Sequence, residues 1–171
     1  LEANEINGIP LGRRGIQPCL TNPDVAELCA QAARDFFDTY PKAHVFSMGV
    51  NDMGGFCECE PCKKANKGAG YDDAGKKNYS FVYFSFLNKV CREVAKTHPD
   101  RKLGCMAYAS GTSVPPPFKL EPNLVVYVQP NDYSRYHFDK KLQAWSRKQF
   151  REWSERVETL AVYLWSHGRG M

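Results

Sequence analysis

Residues 45–62 read VFSMGVNDMGGFCECEPC, and this stretch decides how the rest of the chain is interpreted. Its apolar first part predicts a buried strand that stops at Asn51 and Asp52. Its second part carries three cysteines within six residues. Because α/β proteins build their sites at the carboxyl ends of strands, we expect Asn51 and Asp52 to belong to a site that the cysteine-rich loop braces.

Helices and strands alternate on either side of this stretch. Asn22 followed by Pro23 predicts the start of a helix that runs to about Tyr40. Apolar residues at helical spacing predict a second helix around Tyr83–Val94 and a third around Leu142–Val157. Residues 52–77 predict a long loop rich in glycine, cysteine and lysine. The predicted strands are residues 44–50, 102–108, 124–129 and 159–165.

This order predicts an α/β fold with a parallel sheet covered by helices on both faces. Four strands would make a small sheet for a complete doubly wound domain. We therefore expect part of a (β/α)8 TIM barrel, with parallel strands and flanking helices, because a whole barrel needs about 250 residues. The remaining strands would come from the rest of a larger chain or from a homo-oligomer.

Composition limits the classes of function. The 171 residues, 43% of them hydrophobic, can form the core of a single domain spanning residues 1–171. No apolar run approaches the length of a membrane span. The net charge is +4 and the basic residues lie in scattered pairs, so we expect no nucleic-acid partner. The chain starts at Leu1 rather than Met, and we expect a fragment of a longer protein.

Polar or aromatic residues follow each predicted strand and suit a carbohydrate substrate. Glycoside hydrolysis commonly uses two carboxyl groups, and Asp52 and Asp132 are the candidates for this acid and base chemistry. Asn51 would orient a sugar hydroxyl or an N-acetyl group. The alternative for both aspartates is a role in a turn. The candidate substrate-binding residues are Asn51, Tyr108, Gln129, Asn131, Trp165 and His167.

The aromatic residues and the histidine in this set have structural alternatives. Tyr108 and Trp165 offer flat rings that stack on a pyranose, although core packing would explain them equally well. His167 would hydrogen-bond a hydroxyl or assist proton transfer, and the alternative is an ordinary loop residue.

The cysteines form a separate candidate site. Cys57, Cys59 and Cys62 are close enough in sequence to bind one tetrahedral zinc ion, with a fourth ligand from Cys19, a histidine or water. Such a zinc would be structural and would hold the loop that positions Asp52. A disulfide within the loop and free thiols are the alternatives.

Several motifs, in this order, resemble one bacterial family. They are CLTNPDV at 19–25, SMGVNDMGGFCECEPC at 47–62, YFSFLNKVCREVAKTHPDRKLGCMAY at 83–108 and PNLVVYV at 122–128. The chain resembles the domain of unknown function 4838, found in carbohydrate-utilisation proteins. The resemblance implies a glycoside-hydrolase-like barrel, often linked to an N-terminal domain similar to that of α-glucuronidases. It also favours export to the periplasm or the cell surface.

Three hypotheses of function follow. The first is a glycoside hydrolase-like domain that acts on a polysaccharide or glycoconjugate. The second is a non-catalytic carbohydrate-binding barrel without a pair of carboxyl groups. The third is a metal-stabilised interaction module. The distance between carboxylates near Asp52 separates the first two, and metal analysis tests the third.

Overall fold

A computed structural model gives the fold of the chain. It describes residues 17–51, 55–66, 68–71, 75, 77–107, 111–129 and 138–163, together with the backbone of residues 5–6 and 9–10. Its strands are β1 (Glu5–Ile6), β2 (Ile9–Pro10), β3 (Val45–Ser47), β4 (Lys102–Ala107), β5 (Leu124–Val128) and β6 (Thr159–Val162). Its helices are α1 (Pro23–Thr39), α2 (Glu60–Ala65), α3 (Ser80–Ala95) and α4 (Lys140–Ser154).

The main sheet has four parallel strands in the order β3-β4-β5-β6, which is their order along the chain. The pairing places Ser47 beside Gly104, Ala107 beside Val128, and Val128 beside Val162. The carboxyl ends of the strands therefore lie along one edge of the sheet. The predicted parallel α/β architecture is confirmed, and β1 and β2 add a small antiparallel hairpin that the sequence did not indicate.

Two of the long helices begin where a side chain satisfies their first backbone N–H groups. At the start of α1, the Asn22 side chain accepts a hydrogen bond from the Asp24 N–H at 2.9 Å, and Pro23 follows it. At the start of α4, the Asp139 side chain accepts hydrogen bonds from the N–H groups of Lys141 and Leu142. None of the described helices is long and apolar enough to cross a bilayer.

The core lies between the helices and one face of the sheet. Alternate residues of β4 and β5 share a single buried cluster with α1, α3 and Trp153 of α4: Leu103, Cys105, Ala107, Leu124, Val126 and Val128. At its centre the ring of Phe84, fully buried in α3, contacts Trp153 edge-on at 5.2 Å between ring centroids. All three long helices therefore pack on the same side of the sheet.

The expectation that helices cover both faces of the sheet is wrong for the described part of the chain. The intervening strand residues Met106, Val125 and Tyr127 lie outside the core cluster, although Val125 is itself buried. Val45, on the same face, is 38% exposed. Because the strands stay in chain order, every connecting helix returns on one side, whereas covering both sides requires the strand order to reverse.

Several predicted boundaries are also corrected. The first helix ends at Thr39, as expected, but β3 covers only Val45–Ser47 of the predicted 44–50. The predicted loop at 52–77 contains the helix α2, because Pro61 supports a helix start directly after Cys59. β6 ends at Val162, and the rest of the predicted strand from residue 164 onward lies outside the described residues.

A glycine joins the loop after β4 to the segment before α3. The carbonyl of Gly111 accepts a hydrogen bond from the Tyr79 N–H at 2.6 Å. Gly111 has a φ of 86°, and a Cβ there would overlap the carbonyl oxygen of Lys77. Glycine is therefore required for both its backbone conformation and its lack of a side chain.

We predict that Gly111→Ala destabilises the fold more than Gly70→Ala. Gly70 also has a positive φ, of 64°, but a Cβ there meets nothing within 4 Å. Both substitutions carry the left-handed backbone cost of about 1–2 kcal/mol, and only Gly111→Ala adds a steric clash. Urea unfolding of both variants measures the difference. Equal losses of stability would contradict the close approach of the two segments.

Candidate metal centre

Cys19 reaches the cysteine-rich loop because the segment before α1 is tied to the segment after β3. The side-chain amide of Gln17 donates to the Asn51 carbonyl at 2.9 Å and accepts from the Asn51 N–H at 3.2 Å. The Gln17 N–H also donates to the carbonyl of Gly55 at 3.1 Å. Gln17 is only 4% exposed, so these hydrogen bonds are shielded from water.

The other three cysteines surround the start of α2. Cys59 precedes the helix, and its carbonyl accepts from the Lys63 N–H at 2.9 Å. Cys62 lies in the first turn and is buried, whereas Cys59 is exposed and Cys57 is half-buried. The turn at the start of α2 therefore brings the thiols of Cys57, Cys59 and Cys62 close together.

The four sulfur atoms of Cys19, Cys57, Cys59 and Cys62 all lie within 4.8 Å of one another. The Cys19 Sγ is 3.8 Å from Cys59 Sγ and 3.7 Å from Cys62 Sγ. A tetrahedral ion with metal–sulfur bonds of about 2.3 Å separates its ligands by about 3.8 Å. These spacings match a single ion bound by four thiolates.

A disulfide does not account for this cluster. All four of its cysteines are free thiols, and the sulfur separations of 3.7 and 3.8 Å far exceed a bonded distance of about 2.05 Å. Of the possible fourth ligands predicted for Cys57, Cys59 and Cys62, the fold supplies Cys19. The remaining cysteines, at 29, 91 and 105, lie outside the cluster.

The surroundings of the cluster lower the pKa of one cysteine, Cys19, and raise the pKa of two others, Cys57 and Cys62. Partial burial disfavours ionisation of Cys19, but hydrogen bonds from the Thr21 hydroxyl and backbone outweigh it and lower its pKa to about 6. Burial and the neighbouring cysteines raise the pKa of Cys57 to about 12. Burial likewise raises the pKa of Cys62. A cation bound among these thiols would favour their ionised forms.

Thr21 contacts the cluster from the segment before α1. Its hydroxyl oxygen lies 3.1 Å from Cys62 Sγ and 3.5 Å from Cys19 Sγ, so it bridges the two segments that supply the thiols. Nothing in the sequence pattern distinguished Thr21 from a residue at a helix start.

A cavity of about 290 Å³ lies beside the cluster. Cys57 and Cys62 contribute to its wall, and Glu58, Lys77 and Tyr79 line the same space. The Glu58 carboxylate pairs with Lys77 and accepts a hydrogen bond from the Tyr79 hydroxyl at 2.9 Å. These two hydrogen bonds hold the pKa of Glu58 below its usual range.

The residues predicted to bind substrate or to act in catalysis are only partly described. Asn51 is exposed near the carboxyl end of β3, and Gln129 is half-buried directly after β5, so both lie at the expected edge of the sheet. The other candidates lie outside the described residues: Asp52, Tyr108, Asn131, Asp132, Trp165 and His167.

The sequence did not predict that Gln17 supports the site, or that Glu58 pairs there with Lys77 and Tyr79. The position of Glu58 between Cys57 and Cys59 was the one available signal for it. Gln17 carried no signal, because its hydrogen bonds reach 34 positions along the chain.

Comparison with known proteins places the chain without assigning an activity. No curated protein matches it, and no solved structure matches it. A family model described as a domain of unknown function, DUF4838, matches residues 9–167. With nearly the whole chain covered by that model, the protein belongs to the DUF4838 family.

Proposed function

We propose that the chain binds one zinc ion through the thiolates of Cys19, Cys57, Cys59 and Cys62, and that the ion is structural. The observation that carries this proposal is the spacing of the sulfur atoms. Cys19 Sγ lies 3.8 Å from Cys59 Sγ and 3.7 Å from Cys62 Sγ, and all four sulfur atoms lie within 4.8 Å of one another. Soft thiolate ligands in tetrahedral geometry select zinc or iron–sulfur chemistry over hard cations such as magnesium or calcium.

Four protein ligands indicate a structural role. A catalytic zinc keeps one coordination position open for water or substrate, whereas a four-thiolate site is closed. The ligands come from two segments far apart in sequence, one with Cys19 and the other with Cys57, Cys59 and Cys62, and neither segment belongs to a long helix or a strand. The ion would therefore crosslink two segments that lie outside the long helices and the strands.

We predict that the purified protein contains one zinc per chain and that Cys19→Ser and Cys59→Ser lose most of it. Cys59 is exposed, so its substitution disturbs packing least. Cys29→Ala is the matched control because Cys29 lies outside the cluster. Elemental analysis under reducing conditions measures the stoichiometry. Full zinc content in both serine variants would contradict the four-ligand centre, and iron in place of zinc would correct the identity of the metal.

We also predict that chelation destabilises the protein. A ligand present at a thousand times its dissociation constant stabilises the folded state by about 4 kcal/mol. At about 2–4 °C per kcal/mol for a chain of this size, removal lowers the melting temperature by about 8–16 °C. Calorimetry with and without a strong chelator measures the shift. The Cys59→Ser variant should show little response, and an equal response in that variant would oppose the assignment.

The second candidate function is a carbohydrate site at the carboxyl end of the sheet, as in a glycoside hydrolase-like barrel. The observation that favours it is the strand order β3-β4-β5-β6 with α1, α3 and α4 on one side. That arrangement is expected for an arc of a (β/α)8 barrel, whose strands lie in chain order inside a ring of helices. Its active site would then lie at the strand ends near Asn51 and Gln129.

In this proposal Asp52 and Asp132 supply the acid and base. Each follows a strand closely in sequence, at the end where barrel enzymes place catalytic groups. Asn51, Gln129 and Asn131 would hydrogen-bond the sugar, and so would His167, which follows β6 in the sequence. Tyr108 and Trp165 would stack on the ring.

We predict that a screen of aryl glycosides and polysaccharides detects hydrolysis that falls at least 100-fold in Asp52→Asn and in Asp132→Asn, since general acid–base catalysis contributes roughly 10²–10⁴-fold. Asp24→Asn, in the first turn of α1, is the control. Equal turnover by Asp52→Asn would remove Asp52 from the mechanism. Binding without turnover would support the carbohydrate-binding alternative.

A further inference from the structure

Glu58 lies between two of the proposed zinc ligands, Cys57 and Cys59. We propose that Glu58, Lys77 and Tyr79 form a clasp that positions these two thiols and thereby sets the metal affinity of the centre. This inference rests on the proposed zinc site. The three clasp residues are positioning residues, because none of them is a ligand.

The clasp holds Cys57 from both sides. On one side, the Glu58 carboxylate oxygen Oε1 accepts hydrogen bonds from the Lys77 ammonium and from the Tyr79 hydroxyl, the latter at 2.9 Å. On the other side, the buried ring of Phe56 stacks on the ring of Tyr79, with centroids 4.3 Å apart and planes 15° apart. Both neighbours of Cys57 are therefore anchored on the same tyrosine.

Tyr79 is itself a fixed point. Its N–H donates to the carbonyl of Gly111 at 2.6 Å, and its carbonyl accepts from the Tyr83 N–H at 3.0 Å at the start of α3. The Lys77 ammonium lies 5.2 Å from the centroid of the Tyr79 ring, which adds a cation–π contact. The clasp thus holds the loop that carries the thiols in a fixed position relative to α3.

The clasp should affect metal affinity more than folding. The Glu58 and Lys77 side chains are 50% and 46% exposed, and ion pairs this exposed add little to stability. Groups that orient metal ligands from outside the coordination sphere, in contrast, typically change metal affinity by about 10–100-fold. If the ion pair were only structural, its loss would change neither folding stability nor metal affinity by much. If the clasp positions the ligands, its loss lowers metal affinity.

We predict that Tyr79→Phe and Glu58→Gln each raise the zinc dissociation constant about tenfold. Tyr79→Phe keeps the ring that stacks on Phe56 and changes no charge. Glu60→Gln is the matched control because it removes the same carboxylate two residues away, where Glu60 is 88% exposed and pairs with Lys63. Competition with a chromophoric chelator measures the constants, and Glu60→Gln should change affinity less than about twofold.

Two further measurements distinguish positioning from a general loss of structure. Cobalt substituted at the centre should show a visible spectrum that shifts in Tyr79→Phe and stays unchanged in Glu60→Gln, since that spectrum reports ligand geometry. Lys77→Arg keeps the ion pair to Glu58 and should retain more affinity than Lys77→Ala.

Each result bears on the two proposals separately. Zinc bound by the wild type with unchanged affinity in Tyr79→Phe and Glu58→Gln would overturn the clasp and leave the metal centre intact. A loss of affinity matched by an equal loss of stability in the metal-free variants would also overturn it. Absence of zinc from the wild type would overturn the metal centre and the clasp together.

Discussion

The paired hydrogen bonds between the Gln17 side chain and the backbone of Asn51 are the constraint on which the described site depends. They connect the segment before α1 to the segment after β3, and they bring Cys19 to Cys57, Cys59 and Cys62. Because Gln17 is buried, loss of its partner would leave polar groups unsatisfied at a cost of about 1–3 kcal/mol. A metal bound by the four thiols would form a second link between the same two segments.

The four-cysteine cluster and the sheet lie in different parts of this fold. The sheet and its three long helices form most of the buried core, to which the cysteine loop adds Phe56, with Ala65 packed against it. In the described part of this loop, regular structure consists of the six-residue helix α2 and an isolated β-bridge between Tyr71 and Lys77. A metal would therefore contribute most where regular structure contributes least, next to the edge of the sheet where the carboxyl ends of the strands lie.

Much of the architecture could be predicted from local patterns. Asn22 and Pro23 marked the start of α1, and the apolar runs marked β4 and β5 to within one or two residues, because these signals act between near neighbours in sequence. The spacing of Cys57, Cys59 and Cys62 indicated a thiol cluster for the same reason. The helix α2 was missed because its start depends on Pro61 within a stretch whose glycines and lysines otherwise indicate a loop.

The sequence by itself determined that helices alternate with parallel strands and that three thiols lie close together, since periodicity and spacing are local properties. Only the tertiary structure decided that Cys19 is the fourth thiol, that Tyr79 supports Glu58, and that the helices share one face of the sheet. The contacts behind the first two outcomes join residues 21 to 43 positions apart. No local pattern specifies such contacts, because they arise when the chain packs α1 and α3 against the same strands.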